Sequence, residues 1–268
     1  MTGVTLSTER AERRIKLTLH YDGAGFVGWQ VQPGARTVQS ELEAALTRLA
    51  DQPITALAAG RTDRGVHATG QVVSTLVPSK WTPASLQRAL NAILPDDIWV
   101  AAAREVPLEF HARYSANARS YAYRVGTRPE SASPFQRRWC WPLREALNAH
   151  ELDALAGVIV GRHSFRAFAK SGQPERGEFC EVSVSRWGSW KHGVVYEVTA
   201  DRFLHHMVRY LVGTMVDVAR GRRSADDVVG LLHNQTGLET SAPAPAQGLF
   251  LTGVSYPPDL RGVEEHHA

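Results

Sequence analysis

Apolar and polar positions alternate at Ile15, Leu17, Leu19 and Tyr21, which predicts a half-buried strand closing at Asp22-Gly23. The period then lengthens. Leu42, Ala45, Leu46 and Leu49 recur at helical spacing and Ser40 with Glu43 forms a capping-box pair, so a helix is expected over about 38–50. Strands are expected at 54–59 and 71–77, then a helix from Pro83 through Ala92 ended by Pro95, and a strand over about 98–104. The order β-α-β-β-α-β is the split βαβ, or ferredoxin-like, pattern. With Val106-Pro107-Leu108 as linker, residues 1–107 read as one domain and 108–268 as a second.

The second half repeats these element types. A strand over about 117–125 puts Arg119, Tyr121, Tyr123 and Val125 on one face. A helix over 148–160, strands at 178–187 and 193–200 joined at Lys191-His192-Gly193, helices over 203–219 and 224–233 and a strand over 248–256 follow. Two similar α+β halves usually enclose a cleft. In the long helix Leu204, Met207, Val208, Leu211, Met215 and Val218 form the buried stripe, with His205 and Arg209 one turn apart on its border. Adjacent helical residues diverge by about 100°. His205 and His206 are therefore expected on different faces, as structural residues rather than metal ligands.

Two loops interrupt the pattern. The stretch 22–36 carries four glycines with Phe26 and Trp29 expected at the surface, the composition of a contact loop. The stretch 59–73 breaks an apolar run around Asp63, with Gly60, Gly65 and Gly70 as hinges and Arg61 and Arg64 as neighbours. An ordinary tight turn has the same punctuation. Nearby positive charge favours the ionised carboxylate, the form a nucleophile or general base requires.

Composition narrows the class. With 268 residues, 43% apolar and 21% charged, the chain reads as a soluble globular protein. No apolar run approaches the ~20 residues of a membrane helix, and the N-terminus lacks the apolar centre of a signal peptide. Residues 1–14 are expected to form a flexible arm. Cys140 and Cys180, expected as free thiols, suit a reducing compartment, and a cytoplasmic location is expected. Net charge is only +3, yet of 30 basic residues four are lysine, Lys16, Lys80, Lys170 and Lys191. Between His111 and Arg138, arginines 113, 119, 124, 128, 137 and 138 face one acid, Glu130, and interleave with Tyr114, Tyr121, Tyr123 and Phe135. Phosphate contact beside stacking platforms is an RNA-binding footprint, although a GC-rich genome produces the same arginine bias. No P-loop, dinucleotide-binding glycine run, zinc-protease motif or nucleophile elbow occurs, so neither a cofactor nor a metal is expected.

The run Gly60-Arg61-Thr62-Asp63-x-Gly65-Val66-His67-Ala68 resembles the catalytic motif of the tRNA pseudouridine synthase A family. Further similarity lies in Tyr21-Asp22-Gly23, Phe26-x-Gly28-Trp29-Gln30, Phe110-His111-Ala112-Arg113, Tyr121-x-Tyr123, Phe203-Leu204-His205-His206-Met207-Val208-Arg209 and Gly248-Leu249-Phe250-Leu251. The resemblance implies an α+β fold of two ferredoxin-like (RRM-like) halves forming an extended, mainly antiparallel sheet with a central basic cleft. It implies a homodimer that isomerises uridine to pseudouridine at positions 38, 39 and 40 of the tRNA anticodon stem-loop. Asp63 is then the nucleophile, with attack on ribose C1′, attack on the base and a glycal-type route all open. Arg209 pairs with it, Tyr121 stacks on the target base, and Arg61 displaces the flipped nucleotide. Leu249 and Leu251 wall the pocket or belong to the core. Arg64, His67, Arg113 and Arg119 are further expected substrate contacts. Arg64 departs from the alanine common in the family at that position. The alternatives are a non-catalytic RNA-binding protein on the same sheet and a nucleoside hydrolase, which would release free uracil.

Overall fold

The computed structural model describes residues 12–170 and 177–260. Its strands are β1 (Glu12–Tyr21), β2 (Leu57–Ala58), β3 (His67–Pro78), β4 (Ile98–Val106), β5 (Ala118–Gly126), β6 (Trp141–Pro142), β7 (Gly161–Ser164), β8 (Phe179–Trp190), β9 (Gly193–Ala200) and β10 (Leu249–Ser255). The helices are α1 (Val38–Ala50), α2 (Pro83–Ile93), α3 (Ala149–Ile159), α4 (Met207–Ala219) and α5 (Asp226–Leu232). One sheet runs β4-β1-β3-β10-β5-β9-β8-β7, with β2 on β3 and β6 on β5. Its ladders are antiparallel except β10 on β3 and β6 on β5. The fold is thus mixed α+β with a large, mostly antiparallel sheet.

The two halves meet at the β3–β10 junction, where Phe250 lies opposite His67 and Leu251 opposite Ala68. β1 pairs along nearly all of β3, so β10 and β2 share its other edge at different heights. The chain between β2 and β3, which carries Asp63, is held where these pairings change over.

Each half buries its own core. Ile15, Leu17, Leu19, Val73 and Val77 of the sheet pack with Leu42 and Leu46 of α1 and Leu86 and Leu90 of α2. Tyr123, Val125, Val182, Tyr196 and Val198 pack with Leu152, Leu155 and Ile159 of α3 and Leu211 and Met215 of α4. Tyr121 packs on both clusters, as a side chain at their meeting line should. Among the described residues no helix is long and apolar enough to cross a membrane.

Several sequence expectations are displaced. α1 starts on a Thr37–Ser40 capping box, while Glu43 instead accepts from Gln39 Nε2 and the Ala56 N–H. The strand expected at 54–59 shortens to two residues, and β3 begins at His67 rather than Gln71. Residues 12–14 belong to β1, and the rest of the expected N-terminal arm lies outside the described residues. Phe26 and Trp29 are each only 2% exposed. The Arg36 guanidinium covers the Phe26 ring at 4.2 Å, and Trp29 packs near Tyr21 in the first core. α4 begins at Met207, four residues later than periodicity indicates.

Candidate active site

The Asp63 loop is fastened from several sides. The Trp29 N–H donates to the Thr62 carbonyl at 3.0 Å, Tyr21 Oη and Thr62 Oγ1 are hydrogen-bonded at 2.8 Å, and Gln71 Nε2 donates to the Gly60 carbonyl at 2.8 Å. A turn closes with the Val66 N–H donating to the Asp63 carbonyl at 3.1 Å. Gly28 sits at φ +97°, where a Cβ would meet the Thr62 carbonyl oxygen at 2.7 Å. Its lack of a side chain lets the 22–29 loop lie flat on the Asp63 loop. Val66, 2% exposed, drives the far end of the turn into the second core.

The first core thus holds one end of this loop and the second core the other. The Asp63 side chain between them is 24% exposed. The partners come from the approach to α4 and its first turn. His205 Nε2 lies 3.3 Å from Oδ1, His206 Nε2 3.2 Å from Oδ2, and Arg209 Nη1 3.8 Å from Oδ2. Arg209 is aimed by its own Nε, which donates to the Ala244 carbonyl at 2.7 Å. Its main chain is tied to the same residue, the Ala244 N–H donating to the Arg209 carbonyl at 2.9 Å. The guanidinium is thereby held in a fixed orientation toward the carboxylate.

The histidines do not diverge as helical neighbours would. His206 precedes the helix with φ 65° and ψ 3°, a left-handed conformation, and the two rings lie 4.2 Å apart beside one carboxylate. Burial pushes the His206 pKa down, with Arg209, His205 and Lys170 acting in the same direction and Asp63 opposing them. A neutral ring donates to the carboxylate only through an Nε2 proton. These two contacts of Asp63 were missed from sequence. The signal for them was the paired histidine itself, read under the wrong helix start.

Tyr121 is half-buried within electrostatic reach of Asp63, its ring edge-on to Phe203 at 4.9 Å. Burial raises its pKa strongly, with Tyr21 and Asp63 adding to the effect, so the hydroxyl stays protonated. Asp63, Arg209 and Tyr121, distant in sequence, therefore share one neighbourhood.

The other expected contacts scatter. Arg61 and Arg64 are exposed beside Asp63, and Arg113 is exposed over the Tyr114 ring at 5.7 Å. Arg119 is committed to main-chain carbonyls, donating to Ala116, Asp201, Ala59 and Arg113. His67 is 1% exposed, accepts from the Gly23 N–H at Nδ1, and sits with Nε2 3.1 Å from the Arg138 carbonyl. Burial pushes its pKa down despite nearby Asp22. It fastens the entry of β3 and does not face solvent. Leu249 belongs to the second core and Leu251, at 0% exposure, to the first.

The chain can now be set beside known proteins. A family profile described as tRNA pseudouridine synthase matches residues 18–115 and 156–257. The tRNA pseudouridine synthase A of Pelodictyon phaeoclathratiforme is 39% identical over 247 residues, covering 91% of this chain and 100% of its own. That of Moorella thermoacetica is 40% identical over 247 residues, covering 90% and 99%. That of Methylacidiphilum infernorum is 41% identical over 245 residues, covering 91% and 96%.

Proposed function

The chain belongs to the tRNA pseudouridine synthase family, an isomerase that forms pseudouridine in tRNA, and from that premise we propose that it acts at positions 38, 39 and 40 of the anticodon stem-loop with Asp63 as nucleophile. The observation that carries this reading is the Asp63 carboxylate, partly exposed between two cores, with Arg209 Nη1 3.8 Å away. A carboxylate so flanked is held in a fixed orientation by a guanidinium that is itself anchored. In our reading Tyr121 lies under the target base and its protonated hydroxyl is a donor toward it. The exposed Arg61 takes the place of the nucleotide that leaves the stem, a displacement that costs unstacking energy. Breaking and remaking the glycosidic bond needs no external group; positioning and fixed charge lower the barrier.

We further read the halves 1–107 and 108–268 as two ferredoxin-like domains. Support comes from strand order: β4-β1-β3-β2 in the first and, with the short β6 and β7 set aside, β10-β5-β9-β8 in the second both run fourth, first, third, second. A cytoplasmic homodimer, with one tRNA lying along a basic cleft and touching both subunits, completes the proposal.

Incubating the full chain with unmodified tRNA tritiated at uracil C5 tests it. Tritium should pass into water, with pseudouridine mapping to positions 38–40, and Asp63→Ala should release none. Release that persists in Asp63→Ala, or its absence in the wild type, overturns the assignment. Arg209→Met should lower kcat about 10²–10³-fold, the scale of one lost electrostatic contact to the reacting centre, with a smaller change in tRNA affinity. An unchanged kcat makes Arg209 a packing residue.

A further inference from the structure

Asp63, His205 and His206 offer one carboxylate oxygen and two imidazole nitrogens, all within 4.8 Å of one another. The closest separations, 3.3 Å from His205 Nε2 to Oδ1 and 3.2 Å from His206 Nε2 to Oδ2, fall on the two oxygens of one carboxylate, and each is near the spacing of adjacent ligands around zinc, about 3.3 Å for bonds of about 2.0–2.1 Å at tetrahedral angles. Two imidazoles and a carboxylate suit zinc and its borderline neighbours, whereas magnesium and calcium prefer sets made of oxygen. Three protein ligands with a fourth position left to water is the open form of such a site. His205, 56% exposed, stands at the solvent side and supplies the entry path, while His206 is 16% exposed on the inner side.

The surroundings also limit the affinity. Arg209 Nη1 lies 3.8 Å from the same carboxylate and is held there by Ala244, so a bound dication meets a fixed positive charge. Like charges at this range repel, which separates this cluster from a dedicated structural zinc site. We propose that Asp63, His205 and His206 form an inhibitory site for a zinc-class transition-metal ion. The ion takes a lone pair from an Asp63 oxygen and one from Nε2 of each imidazole, whose proton moves to Nδ1, gives up all but one or two of its own waters, and leaves the carboxylate unable to act. The inhibition rests on Asp63 being the nucleophile; the binding does not.

The test uses the metal-free full chain and cobalt chloride as a spectroscopic probe. Cobalt should produce the strong visible bands of a four- or five-coordinate nitrogen–oxygen site, bleached by added zinc chloride and untouched by magnesium chloride. Asp63→Asn and His205→Ala should each weaken binding at least about tenfold, since even an outer-shell partner of a ligand is worth about 10–100-fold. His205 is exposed and lies outside the helix, so circular dichroism of His205→Ala should match the wild type. Zinc chloride should stop tritium release from tRNA, and EDTA should restore it. Bands unchanged in Asp63→Asn and His205→Ala overturn the site. Bands lost in both variants while zinc leaves wild-type turnover intact keep the site, overturn the inhibition, and count against Asp63 as nucleophile.

Discussion

Gly23→Ala tests whether the Asp63 loop is positioned by backbone packing. A Cβ on Gly23 would fall 2.0 Å from the Val66 carbonyl oxygen, 2.5 Å from its carbon and 3.0 Å from the Gly65 carbonyl carbon. Ordinary non-bonded contact begins near about 3.5 Å, so more than about 1 Å of movement must be found. The obstacle is backbone, which cannot swing aside as a flexible side chain can. Gly23 is also held in place, its N–H donating to His67 Nδ1 at 3.0 Å. The Val66 N–H bonds the Asp63 carbonyl, so displacement of one end of this turn reaches Asp63, the proposed nucleophile. Overpacking of this kind costs about 1–3 kcal/mol. At about 2–4 °C per kcal/mol for chains near this size, Tm should fall by about 2–12 °C. A 1 Å misplacement of a catalytic group costs about 10²-fold in rate, so turnover should fall on that scale. Gly60→Ala is the control, because a Cβ there meets nothing within 4 Å. It should keep wild-type turnover and gain a few tenths of a kcal/mol from the stiffer unfolded chain, up to about 1 kcal/mol. Thermal melts and tritium release on both variants decide it. Gly23→Ala with wild-type Tm and rate, or two glycines equally sensitive, would falsify the reasoning.

Two further outcomes follow from groups near the site. Burial lowers the folded-state pKa of His67 below the unfolded value near about 6.5, so the native state binds fewer protons. Its contribution to stability is therefore complete above about pH 6.5 and is lost as pH falls toward the lowered value, with a slope of at most about 1.4 kcal/mol per pH unit. Urea titrations from neutral to mildly acidic pH should show a shallower decline in His67→Gln than in the wild type, and identical slopes would remove His67 as a contributor. Arg119→Met should destabilise by about 1–3 kcal/mol, because it strips the donor from the part-buried Ala116 and Ala59 carbonyls, while the exposed Asp201 and Arg113 carbonyls can turn to water. Its tRNA affinity, measured on the folded fraction, should stay near wild type; a selective loss of tRNA binding with unchanged stability would return Arg119 to the substrate surface.

Most of the architecture was legible because its signals are local. α1, α2 and α3 each open on a side-chain cap, Thr37, Thr82 and Asn148, and periodicity located all three within a residue or two. β1, β5 and β9 alternate because one face packs on helices. The apolar run 54–59 gave a strand in the right place but too long, since sharing the β3 edge with β10 leaves β2 little to pair with. Phe26 and Trp29 lie in a glycine-rich loop that reads as surface, and only the tertiary cover of Arg36 and the first core explains their burial. The convergence of Asp63 with Arg209 and Tyr121 is likewise long-range; no spacing encodes it, and the family resemblance alone suggested it.

The start of α4 failed for a reason tied to the site. Residues Phe203-Leu204-His205-His206 contain no serine, threonine, aspartate or asparagine, and His206 at the N-cap makes no side-chain capping bond. Apolar periodicity therefore ran through the true boundary. What replaces the cap is a non-glycine residue at φ 65°, a conformation costing on the order of 1–3 kcal/mol unless its surroundings hold it. They do hold it: Met207 donates to Leu204, Lys170 to His205 and Arg209 to His206 through the main chain. The turn brings both imidazoles to the Asp63 carboxylate and starts the helix one residue later, leaving Arg209 on its first turn and facing the same group. A standard cap at His206 would stabilise the helix by about 1 kcal/mol. It would remove the imidazole 3.2 Å from Oδ2. Local stability is thus given up at the point where three cationic or donor groups converge on one aspartate, and departures of that kind concentrate at functional sites.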